Sequence, residues 1–195
     1  MDHGAVNSPT TRSATPARRG FLYGGVALAA AAAGAGFAWW RTGWETVTAA
    51  AQPVPDSLWD GSFTTPAGTT LAMRGLRGKP LLINFWATWC PPCVEELPLI
   101  DAFFRQNRVN GWQVVGLAID QPSAVRAFLG RVPVSFPVGL AGLEGTELGK
   151  ALGNTEGGLP FSVALGATGA VLGRKMGRLT PADLAGWKTL AAAHS

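Results

Sequence analysis

The motif CPPC at residues 90–93 constrains the fold more than any other feature, because it separates two different hydrophobic periodicities. The run LLINFW at residues 81–86 is almost continuously apolar and predicts a strand buried on both faces. From residue 92 to about residue 108, apolar side chains recur every three or four positions, which predicts a helix. The chain therefore changes from strand to helix at its only two cysteines.

The spacing of the two cysteines indicates a reversible dithiol. A bridge between Cys90 and Cys93 would close a very short loop, and such a loop removes little entropy from the unfolded chain. The bridge would therefore stabilise the fold poorly as a permanent cross-link. We expect a pair that opens and closes during function.

The other periodicities predict an α/β domain. Strands alternate with helices beyond the motif, which favours a layered fold with a mixed sheet, and a turn signal at residues 66–68 indicates a hairpin before it. Ser123 and Thr180 are the predicted N-caps of two helices. The predicted strands are residues 62–64, 70–73, 81–86, 112–119, 136–140, 161–165 and 170–175; the predicted helices are residues 92–108, 123–132, 144–152 and one that begins at Pro181.

The segment from residue 21 to residue 40 carries no charge and reads FLYGGVALAAAAAGAGFAWW. Twenty helical residues span about 30 Å, the thickness of a bilayer core, so a transmembrane anchor or an export signal is predicted over residues 20–41. Arginines cluster before this segment, which places residues 1–19, a polar arm expected to be disordered, in the cytoplasm. A buried Ala-rich helix of a soluble protein would leave the flanking arginines and tryptophans unexplained.

Two further features indicate export. Arg18-Arg19 begins a stretch that resembles a twin-arginine signal, and the alanines up to Ala51 offer a cleavage site, so a retained anchor and a cleaved signal both remain open. Residues 42–57 have the composition of a linker, which leaves residues 58–195 as the folded domain. Both alternatives deliver this domain to an extracytoplasmic compartment.

The distribution of charge argues against nucleic acid as a partner. From residue 52 onward the chain has 12 basic and 10 acidic residues, a net charge of +2, and these charges are scattered. No basic stripe interleaved with aromatic residues is visible.

The position of each cysteine predicts its role. Cys90 lies at the start of the helix, where the partial positive charge of the helix terminus lowers the pKa of a thiol. Cys93 lies about one turn further in and is expected to be less exposed. Cys90 is therefore the predicted attacking sulfur, and Cys93 is the predicted resolving sulfur.

The two prolines inside the motif favour a reductant. Neither Pro91 nor Pro92 has an N–H to donate to the Cys90 sulfur, and the motif contains no histidine or lysine. We expect the pKa of Cys90 to be nearer ~7 than the ~3.5 of strongly oxidising dithiols.

Three other residues are candidates on spacing alone. Glu96 lies one turn after Cys93, so its carboxyl could relay a proton or simply be a solvated acid at the helix start. Pro160 could be a plain strand-starting proline or a special cis one. Trp89 could line a pocket or contact substrate directly.

These motifs together resemble the TlpA/ResA branch of the thioredoxin superfamily. The resemblance rests on FWATWCPPC at residues 85–93, on Glu96 and Pro98 after it, and on a Gly-Leu-Pro ending at Pro160 before an apolar strand. It covers about residues 58–190 and implies a thioredoxin-like fold with an N-terminal hairpin. It also implies an extra strand and helix in the centre of the domain.

The resemblance implies a role for each candidate residue. Cys90 would be the nucleophile, Cys93 the resolving thiol and Glu96 the acid that tunes them. Pro160 would be a cis-proline beside the dithiol, and Leu159 would offer its backbone to a substrate strand.

Trp89 and Pro91 complete the predicted substrate-binding surface. One position departs from thioredoxins proper, which carry a buried acid in the strand before the motif, whereas this chain has Asn84. Asparagine cannot titrate, so Glu96 is the candidate for proton transfer near the dithiol.

The resemblance also implies a function and a compartment. Members of this branch reduce or exchange disulfides in exported proteins, and some keep the haem-attachment cysteines of cytochrome c reduced during its maturation. They face the periplasm, usually on a tether in the bacterial inner membrane. No cofactor beyond the Cys90–Cys93 pair and no bound metal is expected. With no third cysteine in the sequence, the pair would need an upstream membrane electron donor.

Two alternative functions stay open at this point. An oxidase that makes disulfides shares the fold, although the lack of a basic residue in the motif argues against it. A chaperone for a soft ion such as Cu(I) could use the two sulfurs, but both histidines, His3 and His194, lie at the ends of the sequence. A third ligand is therefore hard to supply.

Overall fold

A computed structural model describes Met1 and residues 54–193. Seven strands form one mixed sheet in the order β2-β1-β5-β4-β3-β6-β7. The strands are β1 (Ser62–Thr64), β2 (Thr70–Ala72), β3 (Leu81–Trp86), β4 (Gln113–Ala118), β5 (Val138–Leu140), β6 (Phe161–Leu165) and β7 (Val171–Met176). The α-helices are α1 (Ser57–Asp60), α2 (Pro91–Asn107), α3 (Pro122–Leu129), α4 (Gly142–Ala151) and α5 (Pro181–Ala193).

The sheet has β3 near its centre, with every residue of that strand buried, as its apolar sequence predicts. The strands β3, β4 and β5 run parallel to one another, while β6, β7 and the β1–β2 hairpin pair antiparallel. The hairpin joins the sheet through β5, and β5 with α4 forms the central insertion. The expected α/β thioredoxin-like fold with an N-terminal hairpin is therefore confirmed.

Alternation along β3 sorts its side chains onto two cores. Leu82 and Trp86 pack on the face that α2 and α5 cover, whereas Ile83 and Phe85 pack on the opposite face. Asn84 lies in register between Leu82 and Trp86, so it belongs to the face of α2. A polar side chain in the middle of β3 is thus directed at the helix that begins with the dithiol.

One predicted helix start is wrong and another is confirmed. α3 begins at Pro122 with Gln121 at the N-cap position, so Ser123 lies inside the helix; a proline has the φ angle of a first helical residue and needs no N–H partner there. At α5, the Asp183 N–H donates to Thr180 Oγ1 at 3.3 Å, and the Thr180 N–H donates to Asp183 Oδ2 at 2.8 Å. Thr180 therefore caps α5 as predicted.

The predictions for the N-terminal part fall largely outside the described residues. These are the arm at residues 1–19, the anchor or signal at residues 20–41, the cleavage site at Ala51 and most of the linker. Val54 is buried in the core that contains Ile83 and Phe85, so the folded domain includes residues at least four positions before residue 58. Among residues 54–193, none of the helices combines the length and apolarity needed to cross a bilayer.

Candidate active site

Cys90 and Cys93 form a disulfide, with 2.07 Å between the sulfur atoms and 5.3 Å between the Cα atoms. Cys90 is the extended N-cap residue of α2, and its carbonyl accepts hydrogen bonds from the N–H groups of Cys93 and Val94, each at 3.1 Å. Cys90 is 5% exposed and Cys93 is 0% exposed. The outer sulfur therefore belongs to Cys90, in the order expected for an attacking and a resolving cysteine.

The loop before the dithiol is anchored by Asp120, which is not among the site residues predicted from the sequence. Asp120 Oδ2 accepts hydrogen bonds from the Thr88 N–H at 2.8 Å and from the Thr88 hydroxyl, while Asp120 Oδ1 accepts one from the Gln121 N–H at 2.6 Å. Partial burial opposes ionisation of Asp120, but these hydrogen bonds outweigh it and lower the pKa of Asp120 below its ordinary value. Thr88 lies two residues before Cys90, so Asp120 fixes the approach to the dithiol.

A signal for Asp120 exists in the sequence. β3 and β4 are parallel neighbours, so the residues after their carboxyl ends meet at one edge of the sheet. The carboxylate of Asp120 follows β4 closely and thus lies near the loop that follows β3.

Glu96 is buried, with 1% of its surface exposed, and two donors satisfy its carboxyl. Asn84 Nδ2 donates to Oε1 at 2.7 Å, and the Leu179 N–H donates to Oε2 at 2.7 Å. Burial raises the pKa of Glu96 above its ordinary value, and the hydrogen bonds from Leu179 and Asn84 and the charge of Arg178 only partly oppose it. A carboxyl with a raised pKa, one helical turn from Cys93, holds its proton to a higher pH than a solvated glutamate does.

Asn84 takes the place of a buried acid and acts as a donor. Its Nδ2 group donates to Glu96 and also to Ser162 Oγ at 3.0 Å, across the pair that β3 and β6 form at these two residues. The three side chains form a buried polar cluster beneath α2. Sequence patterns predict Glu96 as a site residue and identify Asn84 as the replacement of a buried acid, but no pattern indicates Ser162.

The peptide bond between Leu159 and Pro160 is cis, as the resemblance implies. Pro160 is buried and precedes β6, which begins opposite Phe85 of β3. Because β3 and β6 are antiparallel, Pro160 lies at the edge of the sheet where β3 ends and the dithiol follows. The Pro160 carbonyl accepts a hydrogen bond from the Gly177 N–H at 2.8 Å.

Several apolar residues of the site face solvent. Trp89 is 66% exposed, Pro91 is exposed and Leu159 is half-buried. Met176, which is not among the predicted site residues, is 46% exposed and lies against Gly158, where a Cβ atom would be 3.1 Å from the Met176 sulfur. Trp89 and Pro91 are the chain neighbours of Cys90. Leu159 precedes the cis-proline, and Met176 pairs with Phe161 directly after it.

No group of three or more His, Cys, Asp or Glu side chains in the described part of the chain lies close enough together to hold a metal ion.

The fold and the site together define a class of protein. A dithiol at the start of the helix after a central strand, with a cis-proline at the same sheet edge, is the arrangement of a thioredoxin-fold thiol-disulfide oxidoreductase. The family described as Redoxin matches residues 49–187, and the chain belongs to this family.

Named relatives agree with this class. The chain is 30% identical over 122 residues to the thiol-disulfide oxidoreductase ResA of a Bacillus cereus strain, covering 62% of this chain and 68% of the relative. A thioredoxin-family thiol:disulfide interchange protein from Chlorobium tepidum TLS is similar in structure, with a TM-score of 0.59, 28% identity, and coverage of 73% of this chain and 97% of the other. A thioredoxin-related protein from Neisseria meningitidis serogroup B has a TM-score of 0.58 and 29% identity, covering 65% and 94%. The chain is a ResA-like thiol-disulfide oxidoreductase.

Proposed function

We propose that this protein reduces disulfides in exported proteins, with Cys90 as the attacking thiol. The observation that carries the proposal is the buried Glu96 carboxyl one turn from Cys93, which has a raised pKa and two hydrogen-bond donors. It supplies an acid beside a dithiol that otherwise has no titratable partner in its motif.

The reaction balances as an exchange of two electrons and two protons. The Cys90 thiolate attacks one sulfur of the substrate disulfide, forms a mixed disulfide and releases the other substrate sulfur as a thiol after protonation. The Cys93 thiol then loses its proton, attacks Cys90 Sγ and releases the second substrate thiol. The protein ends as the Cys90–Cys93 disulfide, and the substrate ends as a dithiol. Glu96 accepts the Cys93 proton and returns it to the leaving sulfur.

The surroundings of the dithiol favour reduction over oxidation. Strong oxidants stabilise the thiolate of the reduced form, which lowers the thiol pKa and raises the reduction potential. Here Pro91 and Pro92 donate no N–H to the Cys90 sulfur, and a carboxylate at Glu96 disfavours a nearby thiolate. The reduced form therefore gains little extra stability, and the pair gives up its electrons readily.

Substrate binding is proposed for the exposed residues around the sulfurs. Trp89 and Pro91 offer apolar surface before and within the motif, and Leu159 offers its backbone beside Pro160. An extended substrate segment could pair with the Leu159 backbone while its cysteine reaches Cys90. Main-chain pairing of this kind binds many sequences, which suits a reductase with several substrates.

The compartment and the partners are part of the same proposal. The uncharged segment at residues 21–40 supports delivery of the domain beyond the inner membrane, as a retained anchor or after cleavage near Ala51. Only two cysteines are present, so each cycle requires a membrane electron donor that reduces the Cys90–Cys93 disulfide. We include the apoprotein of cytochrome c among the substrates, since its haem-attachment cysteines must be reduced.

A trapping experiment tests this function. In the full chain, Cys93→Ser cannot resolve the mixed disulfide, so exported proteins should accumulate bound to Cys90 and be released by dithiothreitol. Cys90→Ser is the matched control and should capture nothing. Equal capture by both variants, or capture by neither, would contradict the proposal.

A further inference from the structure

The turn between β7 and α5, residues 177–179, connects two parts of the active site through its backbone. Gly177, which has a left-handed φ of 83°, donates its N–H to the Pro160 carbonyl at 2.8 Å. Leu179 donates its N–H to Glu96 Oε2 at 2.7 Å. The turn therefore contacts both the cis-proline and the buried acid.

The residue between these two donors makes a contact of a different kind. Arg178 Nη1 lies 2.5 Å from Glu95 Oε2, and the two side chains are 56% and 59% exposed. Glu95 and Glu96 are neighbours on α2, so one carboxylate binds the turn from the solvent side and the other from the buried side. The ion pair thus lies on the solvent side of the turn, and the hydrogen bond from Leu179 to Glu96 lies on its buried side.

We propose that Arg178 is a positioning residue for the exchange reaction. Through its ion pair with Glu95 it fastens the turn to α2 and keeps the Leu179 N–H on the carboxyl of Glu96. The proposal rests on the proposed function insofar as Glu96 exchanges a proton with the dithiol.

A competing explanation is that Arg178 acts only through its charge. A positive charge lowers the pKa of a nearby carboxyl whether or not the turn is fastened, and the charge of Arg178 does oppose the effect of burial on Glu96. The groups that act on Glu96 from the surrounding elements are the Asn84 amide of β3 and the Leu179 amide and Arg178 charge of the turn. Its near neighbours along α2 are Cys93 and Glu95.

Glu95→Ala separates the two explanations because they predict opposite signs. If charge alone matters, removal of the negative charge of Glu95 makes Glu96 easier to ionise, and the titration midpoint of Glu96 falls. If positioning matters, the turn loosens, Glu96 loses part of its hydrogen bond to Leu179, and its midpoint rises. Arg178→Ala raises the midpoint in both cases, so Glu95→Ala is the decisive variant.

The experiment follows the amide of Leu179 by ¹H–¹⁵N NMR of the oxidised full chain between pH 4 and pH 9. This amide donates directly to Glu96, so its chemical shift reports the titration of that carboxyl. We expect Arg178→Ala and Glu95→Ala each to raise the midpoint by about half a pH unit, the size expected for an exposed ion pair. The double variant should raise the midpoint by no more than Arg178→Ala does, and Arg178→Lys, which can still pair with Glu95, should stay near the wild type.

A lowered or unchanged midpoint in Glu95→Ala would overturn the proposal, as would an unchanged midpoint in Arg178→Ala. Additive effects in the double variant would also overturn it, because they require independent actions of the two charges. Both side chains are exposed, so neither variant should disturb folding. The amide titration needs no protein substrate, so its failure would leave the trapping result intact, and a failed trap would leave the titration intact.

Discussion

Two acids, Glu96 and Asp120, lie near the two sides of the dithiol, and their surroundings shift their pKa values in opposite directions. Glu96 lies one turn after Cys93, accepts hydrogen bonds from two neutral donors and is buried, and this burial raises its pKa. Asp120 contacts the loop before Cys90, is only half-buried, and has a pKa lowered by hydrogen bonds from Thr88 and Gln121 that outweigh its burial.

The opposite pKa shifts of Glu96 and Asp120 distinguish an acid suited to proton transfer from one that only accepts hydrogen bonds. A raised pKa brings the change in protonation state of a carboxyl closer to neutral pH, whereas a lowered pKa keeps a carboxyl an anion down to a more acidic pH. Asp120 is therefore a fixed acceptor that positions Thr88, and Glu96 is the acid that we propose exchanges a proton with the dithiol. The following predictions test this division.

The largest effect is expected on stability when Glu96 is removed. Glu96→Ala leaves the buried donors Asn84 Nδ2 and the Leu179 N–H without their acceptor. Each unsatisfied buried group costs about 1–3 kcal/mol, so the free energy of unfolding should fall by about 3 kcal/mol in urea titration. The control Glu144→Ala, at an exposed position of α4, should change it by less than about 0.5 kcal/mol. An equal loss in the two variants would remove the contrast between a buried and a solvated acid.

A smaller loss of stability, with a change in thiol reactivity, is expected at Asp120. Asp120→Asn weakens both hydrogen bonds from Thr88 and should cost about 1–2 kcal/mol. Because the loop before Cys90 is then less fixed, the rate of Cys90 alkylation by iodoacetamide in the reduced chain should change by about threefold or more.

Asp101→Asn is the matched control for this prediction. Asp101 accepts hydrogen bonds from the N–H and hydroxyl of Ser135, the same pattern that Asp120 makes with Thr88. We expect a similar loss of stability and an unchanged alkylation rate. If both variants alter the rate equally, Asp120 has no specific positioning role.

The smallest effects are opposite dependences of stability on pH. For Glu96 the folded pKa exceeds the ordinary value of 4.5, so its contribution is complete below pH 4.5 and is lost as the pH rises through the folded value. For Asp120 the folded pKa lies below 3.8, so its contribution is complete above pH 3.8 and is lost as the pH falls through the folded value. Urea titrations across pH should show that Glu96→Gln flattens the fall in the free energy of unfolding at higher pH. Asp120→Asn should flatten the fall at acidic pH. The same slope change in both variants would refute the division.

The sequence predicts the elements of the site better than its long-range contacts. β3 and α2 are readable from hydrophobic periodicity, and the motif between them locates the dithiol. The contacts of Glu96 to Leu179 and of Asn84 to Ser162 join residues 83 and 78 positions apart, and no local pattern encodes them. They follow from the order of strands, which places β6 beside β3 and places β7, whose following turn carries Leu179, beside β6.

Local rules also fail where two signals compete. Ser123 is a good N-cap residue, but Pro122 before it suits the first helical position, so α3 begins at Pro122 instead. Arg178 and Glu95 are ordinary surface charges in the sequence, and only the turn after β7 brings them together. Only the family resemblance predicts the cis bond before Pro160, because spacing alone favours a trans strand-starting proline.

The reduction potential of the Cys90–Cys93 pair tests the central claim most directly. It is measured by equilibrating the full chain with thiol–disulfide buffers of known potential and quantifying the reduced fraction by alkylation. Prolines that donate no N–H and a carboxyl beside Cys93 leave the thiolate little stabilised, so we predict a value near about −270 mV, as for a reducing thioredoxin. A value near about −120 mV, as for a strong oxidant, would contradict the account.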